Sequence, residues 1–305
     1  MTPQDPEQED GGREVKPVLR QPAEIEEHET LPDDEEEESV SEASSLSPRL
    51  IYEVVRRDGD EELNRPASAL IWSGVAAGIL ISASVMAEAA LHSALPDAPW
   101  REIIENAGYS LGFMIVILGR MQLFTENTIT TVLPFLARPG LRCFGSVMKL
   151  WSIVLAANVV GAFVAGWFLS LEDVLAPEVR LATMEISLHA LDLPPLEAFL
   201  KGIPAGVLIA ALVWLLPQAQ ASAFFVIGAL TWMIAMGGFT HVIAGSVELA
   251  IVVLDGRTGL LHAFGAWWLP VLAGNILGGT AVFTALAWAQ VRMEVRTRNR
   301  TADPL

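Results

Sequence analysis

Residues 221–254 read ASAFFVIGALTWMIAMGGFTHVIAGSVELAIVVL, and the reading of this stretch decides the fold. An apolar run, 221–236, meets Gly237-Gly238-Phe239-Thr240-His241, and a second apolar run, 242–254, follows with one carboxyl group, Glu248, inside it. A helix rises about 1.5 Å per residue and the hydrocarbon of a bilayer is about 30 Å thick, so one crossing takes about 20 apolar residues. The stretch reads as a single membrane span interrupted near its middle. Backbone released from a helix inside a membrane is tolerated only where protein or water satisfies its hydrogen bonds, so the interruption marks a candidate site.

Working outward, residues 202–240 are uncharged but too long for one crossing, and Pro217-Gln218-Ala219-Gln220 divides them into two. Residues 67–87, 150–171 and 263–291 each suffice for a span without a charge. Residues 106–137 are long enough to cross yet carry Arg120 and Glu126 deep inside, a second interrupted span. The expectation is an all-α integral membrane protein of six transmembrane helices, with spans 2 and 5 broken. Composition agrees, because 52% of the 305 residues are hydrophobic, 18% are charged, and the charges crowd into the ends and short loops. A single soluble core would not segregate them in this way.

The expected organisation is an acidic disordered tail over 1–50, a juxtamembrane segment over 51–66, a six-span channel domain over 67–291 and a basic tail over 292–305. Sixteen of the 36 acids fall in residues 1–42, so the formal charge of −17 belongs mostly to the tail. Such a stretch has too little apolar surface to offset the entropy of ordering, and its partner, if any, is not named by the sequence. No nucleic-acid partner is indicated. Residues 1–10 have neither a basic start nor an apolar stretch, so the first span is expected to act as its own membrane signal. Bases near the spans favour one side, Arg49, Arg65, Arg138 and Arg142 among them, against Arg101, Arg180, Lys201 and Arg257 on the other. The positive-inside rule then puts both termini in the cytoplasm of a multi-pass protein of the cell's inner membrane. The lone Cys143 excludes an intrachain disulfide and a cysteine metal cluster.

The chain also carries a weak internal repeat. Residues 73–81 parallel 201–209, Phe124-Thr125-Glu126 parallels Phe239-Thr240-His241, and Asn158-x-x-Gly161 parallels Asn275-x-x-Gly278, in the same order. Three crossings per unit make the second unit inverted relative to the first, and such proteins place their site near the midplane. Thr125 and Thr240 are expected as N-caps of the half-helices after each break. Their N-termini would then bring partial positive charge to the centre, favouring an anion in transit. Gly74-x-x-x-Gly78, Gly202-x-x-x-Gly206 and Gly274-x-x-x-Gly278 offer close-packing surfaces to an oligomer.

Leu123-Phe124-Thr125, Lys201-Gly202-Ile203, Gly238-Phe239-x-His241-Val242 and Gly274-Asn275-Ile276-x-Gly278-Gly279, taken in order over residues 65–292, resemble the formate/nitrite transporters. The resemblance implies a bacterial inner-membrane, pentameric channel with an aquaporin-like fold and one pore per protomer. It also implies a central histidine at His241 and a mobile loop around Thr125 narrowing the pore. A cation at Lys201 near the vestibule, with Asn158 and Asn275 flanking the pathway, completes the set. Permeants of that family are small monovalent weak-acid anions. Gln122 and Thr240 stand where relatives carry acids, and Gly206 and Gly245 where they carry asparagines.

An imidazole can donate a hydrogen bond to an anion or share its proton with it, which lowers the cost of taking charge through a low-dielectric constriction. Lys201 reads as an anion lure or as an anchor at the interface. Arg120 and Glu126, opposite charges six residues apart around one break, suggest a mutual ion pair. No nucleophile with its base, carboxylate dyad or metal-ligand spacing is present, so no enzyme, cofactor or metal is expected. The reading is a channel for formate- or nitrite-like anions. Its rivals are a channel for neutral solutes and a non-conducting regulatory membrane protein.

Overall fold

The structure is a computed structural model that describes residues 46–301. The acidic run over residues 1–42 lies outside the described residues, as do residues 302–305 of the basic tail. Every regular element among the described residues is helical.

Helix α1, Pro48–Leu63, begins where Ser47 Oγ accepts the Leu50 N–H at 3.3 Å and Pro48 occupies the first turn. One face buries Ile51, Tyr52 and Val55, and the other carries Glu53, Arg56, Arg57 and Asp60. Arg56 donates to Glu53 at 2.7 Å and to Asp60 at 2.5 Å, one turn to either side. The helix sits close on the chain that follows the first break: a Cβ on Gly59 would lie 1.8 Å from the Thr130 carbonyl oxygen.

Four helices are long and apolar enough to cross a membrane: α2, Ala67–Ala94; α7, Leu141–Leu169; α9, Pro195–Leu215; and α12, Leu260–Met293. Two shorter apolar helices are α10, Gln220–Met236, and α11, Ala244–Leu254. The chain between α2 and α7 divides into α3, Arg101–Gly108; α4, Ser110–Leu118; α5, Phe124–Thr130; and α6, Val132–Ala137. Helix α8, Pro177–Leu191, is a short extra element between α7 and α9. The apolar stretches thus form helices as expected, but only four are continuous spans by their own length, because the glycine turns at 119 and 237 stop the others.

Two helix pairs make the closest contacts, α2 against α7 and α9 against α12. A Cβ on Gly78 would fall 2.1 Å from the Asn158 carbonyl oxygen, and one on Gly206 would fall 2.3 Å from that of Asn275. The Gly-x-x-x-Gly stripes therefore do not serve an oligomer surface, as their pattern suggested. They let helices of one chain touch, because only a residue without a side chain permits backbone-to-backbone approach at these crossings. The outer surface instead presents large apolar side chains, among them Trp72, Leu181, Phe225 and Leu261, a face suited to hydrocarbon or to another subunit.

Candidate functional site

The two breaks are built alike. Helix α4 stops at Leu118 as the Met121 N–H bonds back to the Val116 carbonyl at 3.0 Å, with Arg120 at φ 51°. Helix α10 stops at Met236 as the Phe239 N–H bonds to the Ile234 carbonyl at 3.0 Å, with Gly238 at φ 57°. Each is a helix terminus closed through a left-handed residue, a conformation natural to glycine and costly to arginine.

An asparagine from a neighbouring helix holds each break. Asn158, on α7, accepts the Phe124 N–H at 2.8 Å and donates to the Gln122 and Gly74 carbonyls, both at 2.8 Å. Asn275, on α12, accepts the Val242 N–H at 2.9 Å and donates to the carbonyls of Thr240 at 2.8 Å and Gly202 at 2.9 Å. Each amide uses its acceptor and one donor on the broken segment, and donates also to a glycine carbonyl of a neighbouring helix, Gly74 on α2 or Gly202 on α9. Both are fully buried, line neither cavity described below, and hold the breaks through these bonds.

This overturns two details read from the sequence. Thr125 and Thr240 do not cap the following helices; the Phe124 and Val242 N–H groups go to the asparagines, and the Ala244 N–H at the start of α11 goes to the His241 ring. Thr240 Oγ1 donates to the Ala198 carbonyl at 3.0 Å. The matching bonds also pair Phe124 with Val242 and Gln122 with Thr240, three residues away from the pairing of Phe-Thr motifs. The counterpart of His241 in that register is Leu123.

Thr125 and His241 do meet. The Thr125 hydroxyl lies 2.7 Å from His241 Nε2, both side chains being buried. Nδ1 accepts the Ala244 N–H at 3.3 Å, which leaves Nε2 to carry the ring hydrogen and donate to Thr125 in the neutral imidazole. Phe113 packs edge-on against the ring, centroids 4.9 Å apart at 79°. Phe113 gave no signal in the sequence, being one apolar residue in an apolar helix.

A cavity of about 480 Å³ reaches His241 from one side, lined also by Lys201, Phe239, Thr240 and Glu248. A second, of about 610 Å³, is lined by Arg120, Gln122, Leu123 and Glu126, with Asp58 and Glu62 of α1. The two share no lining residue. Thr125, next in sequence to residues of the second cavity, is bonded to His241 of the first. Phe124 turns away from both and stacks edge-on against Trp151 at 5.5 Å.

The charged residues fall differently from expectation. Arg120 and Glu126 share a cavity but make no ion pair: Arg120 is exposed, while Glu126 is partly buried at the base of α5. Asp58 of α1 lies within reach of the Arg120 charge, and burial raises its carboxyl above the usual range while Arg120 opposes the rise. Lys201 is engaged by Glu197 at 3.0 Å on its own helix. Sequence reasoning missed Glu62, whose carboxylate accepts from Gln122 Nε2 at 2.5 Å and so ties α1 to the first break. Only the unusual Gln122 hinted at it.

A family profile described as formate/nitrite transporter matches residues 49–289. The inner membrane protein YfdC of Escherichia coli is 39% identical over 250 residues, covering 82% of this chain and 81% of that protein. The formate channel FocA of Haemophilus influenzae is 25% identical over 263 residues, covering 77% of this chain and 91% of that one. Among solved structures, a pentameric formate channel with formate bound superposes with TM-score 0.64 at 21% identity, over 74% of this chain and 98% of that chain. An ion channel of the same family gives 0.67 at 19% identity, over 80% and 98%. These last two establish a shared fold.

Proposed function

The chain belongs to the formate/nitrite transporter family, and from that premise we propose that it is a channel for small monovalent weak acids of the formate and nitrite type. The permeant passes through each protomer by way of the two cavities, with the Thr125–His241 contact as the constriction between them. The observation that carries this reading is the 2.7 Å contact itself, a single polar gate between residues of two breaks where separate cavities end. Leu123 and Thr125 supply one side of the gate and Phe239, Thr240 and His241 the other, while Phe124 braces the first break against Trp151. Lys201 stands in the first cavity, while Arg120 and Glu126 stand in the second as separate charges.

The chain on this reading makes six crossings in two inverted sets of three, each interrupted crossing assembled from two helices. The identical asparagine bonding at the two breaks supports the repeat. So does the matching approach of Gly78 to Asn158 and of Gly206 to Asn275. The protein works as a homopentamer in the inner membrane with both termini cytoplasmic.

Reconstituted into liposomes, the chain is expected to take up formate or nitrite above empty vesicles. His241→Asn is expected to change the dependence of that uptake on pH, since asparagine keeps hydrogen bonding but has no titrating ring. An unchanged pH profile would remove His241 from the mechanism.

A further inference from the structure

Two adjacent tryptophans of α12 grip the half-helix that follows the second break. In the turn Phe264–Trp268 the Leu269 N–H bonds to the Phe264 carbonyl, five residues back, so the helix is locally wider than an α-helix. Neighbouring residues of a regular helix point about 100° apart, yet here both indoles reach α11. Wide turns of this kind recur at functional sites.

Trp268 works through a hydrogen bond. Its Nε1–H donates to Ser246 Oγ at 2.8 Å, and that hydroxyl donates to the Val242 carbonyl at 2.6 Å. The Val242 N–H goes to Asn275, also on α12, so the residue next to His241 has both of its backbone groups held from one helix, directly or through Ser246. Trp267 works by bulk. A Cβ on Gly245 would fall 2.2 Å from its Cη2 and 3.0 Å from its Cζ3, and the Gly245 N–H bonds at 2.9 Å to the carbonyl of His241 itself. The indole has little room to retreat, being 3% exposed and tied through its Nε1–H to the Ala190 carbonyl of α8 at 2.8 Å. Helix α7 stands as close to α11, for a Cβ on Gly166 would fall 2.6 Å from that of Ala250.

We propose that Trp267 and Trp268 are positioning residues for the gate: by clamping α11 at Gly245 and Ser246 they set where His241 stands and hold its ring against Thr125. The proposal rests on the reading of the Thr125–His241 contact as the constriction. Both indoles act through the backbone of α11, one turn beyond the imidazole. The margin is small. Relieving the 2.2 Å approach that a methyl group on Gly245 creates calls for a shift of about 1 Å, and the Thr125–His241 contact, at 2.7 Å, ceases to be a hydrogen bond near about 3.6 Å.

The test uses the full chain in proteoliposomes, with empty vesicles subtracted. One readout is the temperature slope of formate influx, which does not depend on how much of the protein has folded. The other is the Nε2 signal of His241 in the solid-state NMR spectrum of protein with labelled ring nitrogens, assigned by its loss in His241→Asn. Thr125→Val, which lacks the bond, gives the reference value of both. Gly245→Ala is expected to move the signal and to flatten the slope toward those of Thr125→Val. Gly245→Ala/Trp267→Leu, in which room for the methyl group is restored, is expected to return both toward wild type. Trp268→Phe drops the N–H, keeps most of the ring, and is expected to shift both readouts the same way by less. Wild-type signal and slope in Gly245→Ala, or in Trp268→Phe where Gly245→Ala does not fold, overturn the clamp, as does a double variant that restores neither. Formate influx no higher than that of empty vesicles defeats the channel reading, and the nitrogen signal then decides the clamp alone.

Discussion

Arg120 holds a backbone conformation that its own side chain disfavours. At φ 51° it occupies the place that Gly238 fills in the second break, and an L-residue in that region costs about 1 kcal/mol or somewhat more. Its guanidinium is exposed and, among the described residues, makes no ion pair to offset this. Arg120→Gly is therefore expected to stabilise the protein by about 1 kcal/mol, whereas Arg120→Ala is not; thermal unfolding of both variants in detergent separates them. The charges at 120 and 126 were plain in the sequence, but their relation was not. Six residues of spacing across a break fix neither direction nor distance, and here the two side chains share a cavity without touching. His241 was legible as a rare polar residue at an interruption. Its contact with Thr125 was not, because it joins positions 116 apart and depends on how two breaks face each other.

Among the elements, the breaks depend on side chains that lie far from them in the chain. Asn158→Ala strands the Phe124 N–H and withdraws two donors from a buried turn, and Asn275→Ala does the same around Val242. Each is expected to cost about 2–4 kcal/mol, read as loss of thermal stability, with the two variants alike in size. Hydropathy identified every apolar stretch that became a helix, and Gly237-Gly238 in one and the charges at 120 and 126 in another showed which two are interrupted. What hydropathy could not show was the source of the caps, so the threonines beside the breaks attracted a role that asparagines on other helices perform. Helix α1 belongs to the same tier. Hydrogen bonds from Arg56, and secondarily from Arg57, hold the Glu53 carboxyl down to about 2 from the ordinary 4.5. A depressed carboxyl stabilises the folded helix fully above its ordinary value and loses that contribution as pH falls toward about 2. Amide exchange in residues 48–63 is thus expected to quicken between pH 4.5 and 2 more than in α7, and equal behaviour would assign no role to these pairs.

At the scale of the whole molecule, the glycine stripes are consumed within the chain, and the surface left over is broad and apolar. The expected assembly is five chains, each of 32.9 kDa, and native mass spectrometry in detergent would report it directly. The direct bond between Thr125 and His241 has a kinetic meaning for that assembly. On the proposed path every passage would part a buried hydrogen bond worth about 1–3 kcal/mol, and each conduit would stand ajar for on the order of one tenth to one hundredth of the time. Throughput is then governed by an activated opening that recurs with each solute, and it should steepen with temperature beyond the slope of diffusion in water. Thr125→Val, which deletes the bond and keeps the bulk, should flatten that slope. A channel gated in this way would behave less as a pipe than as a turnstile with its own clock.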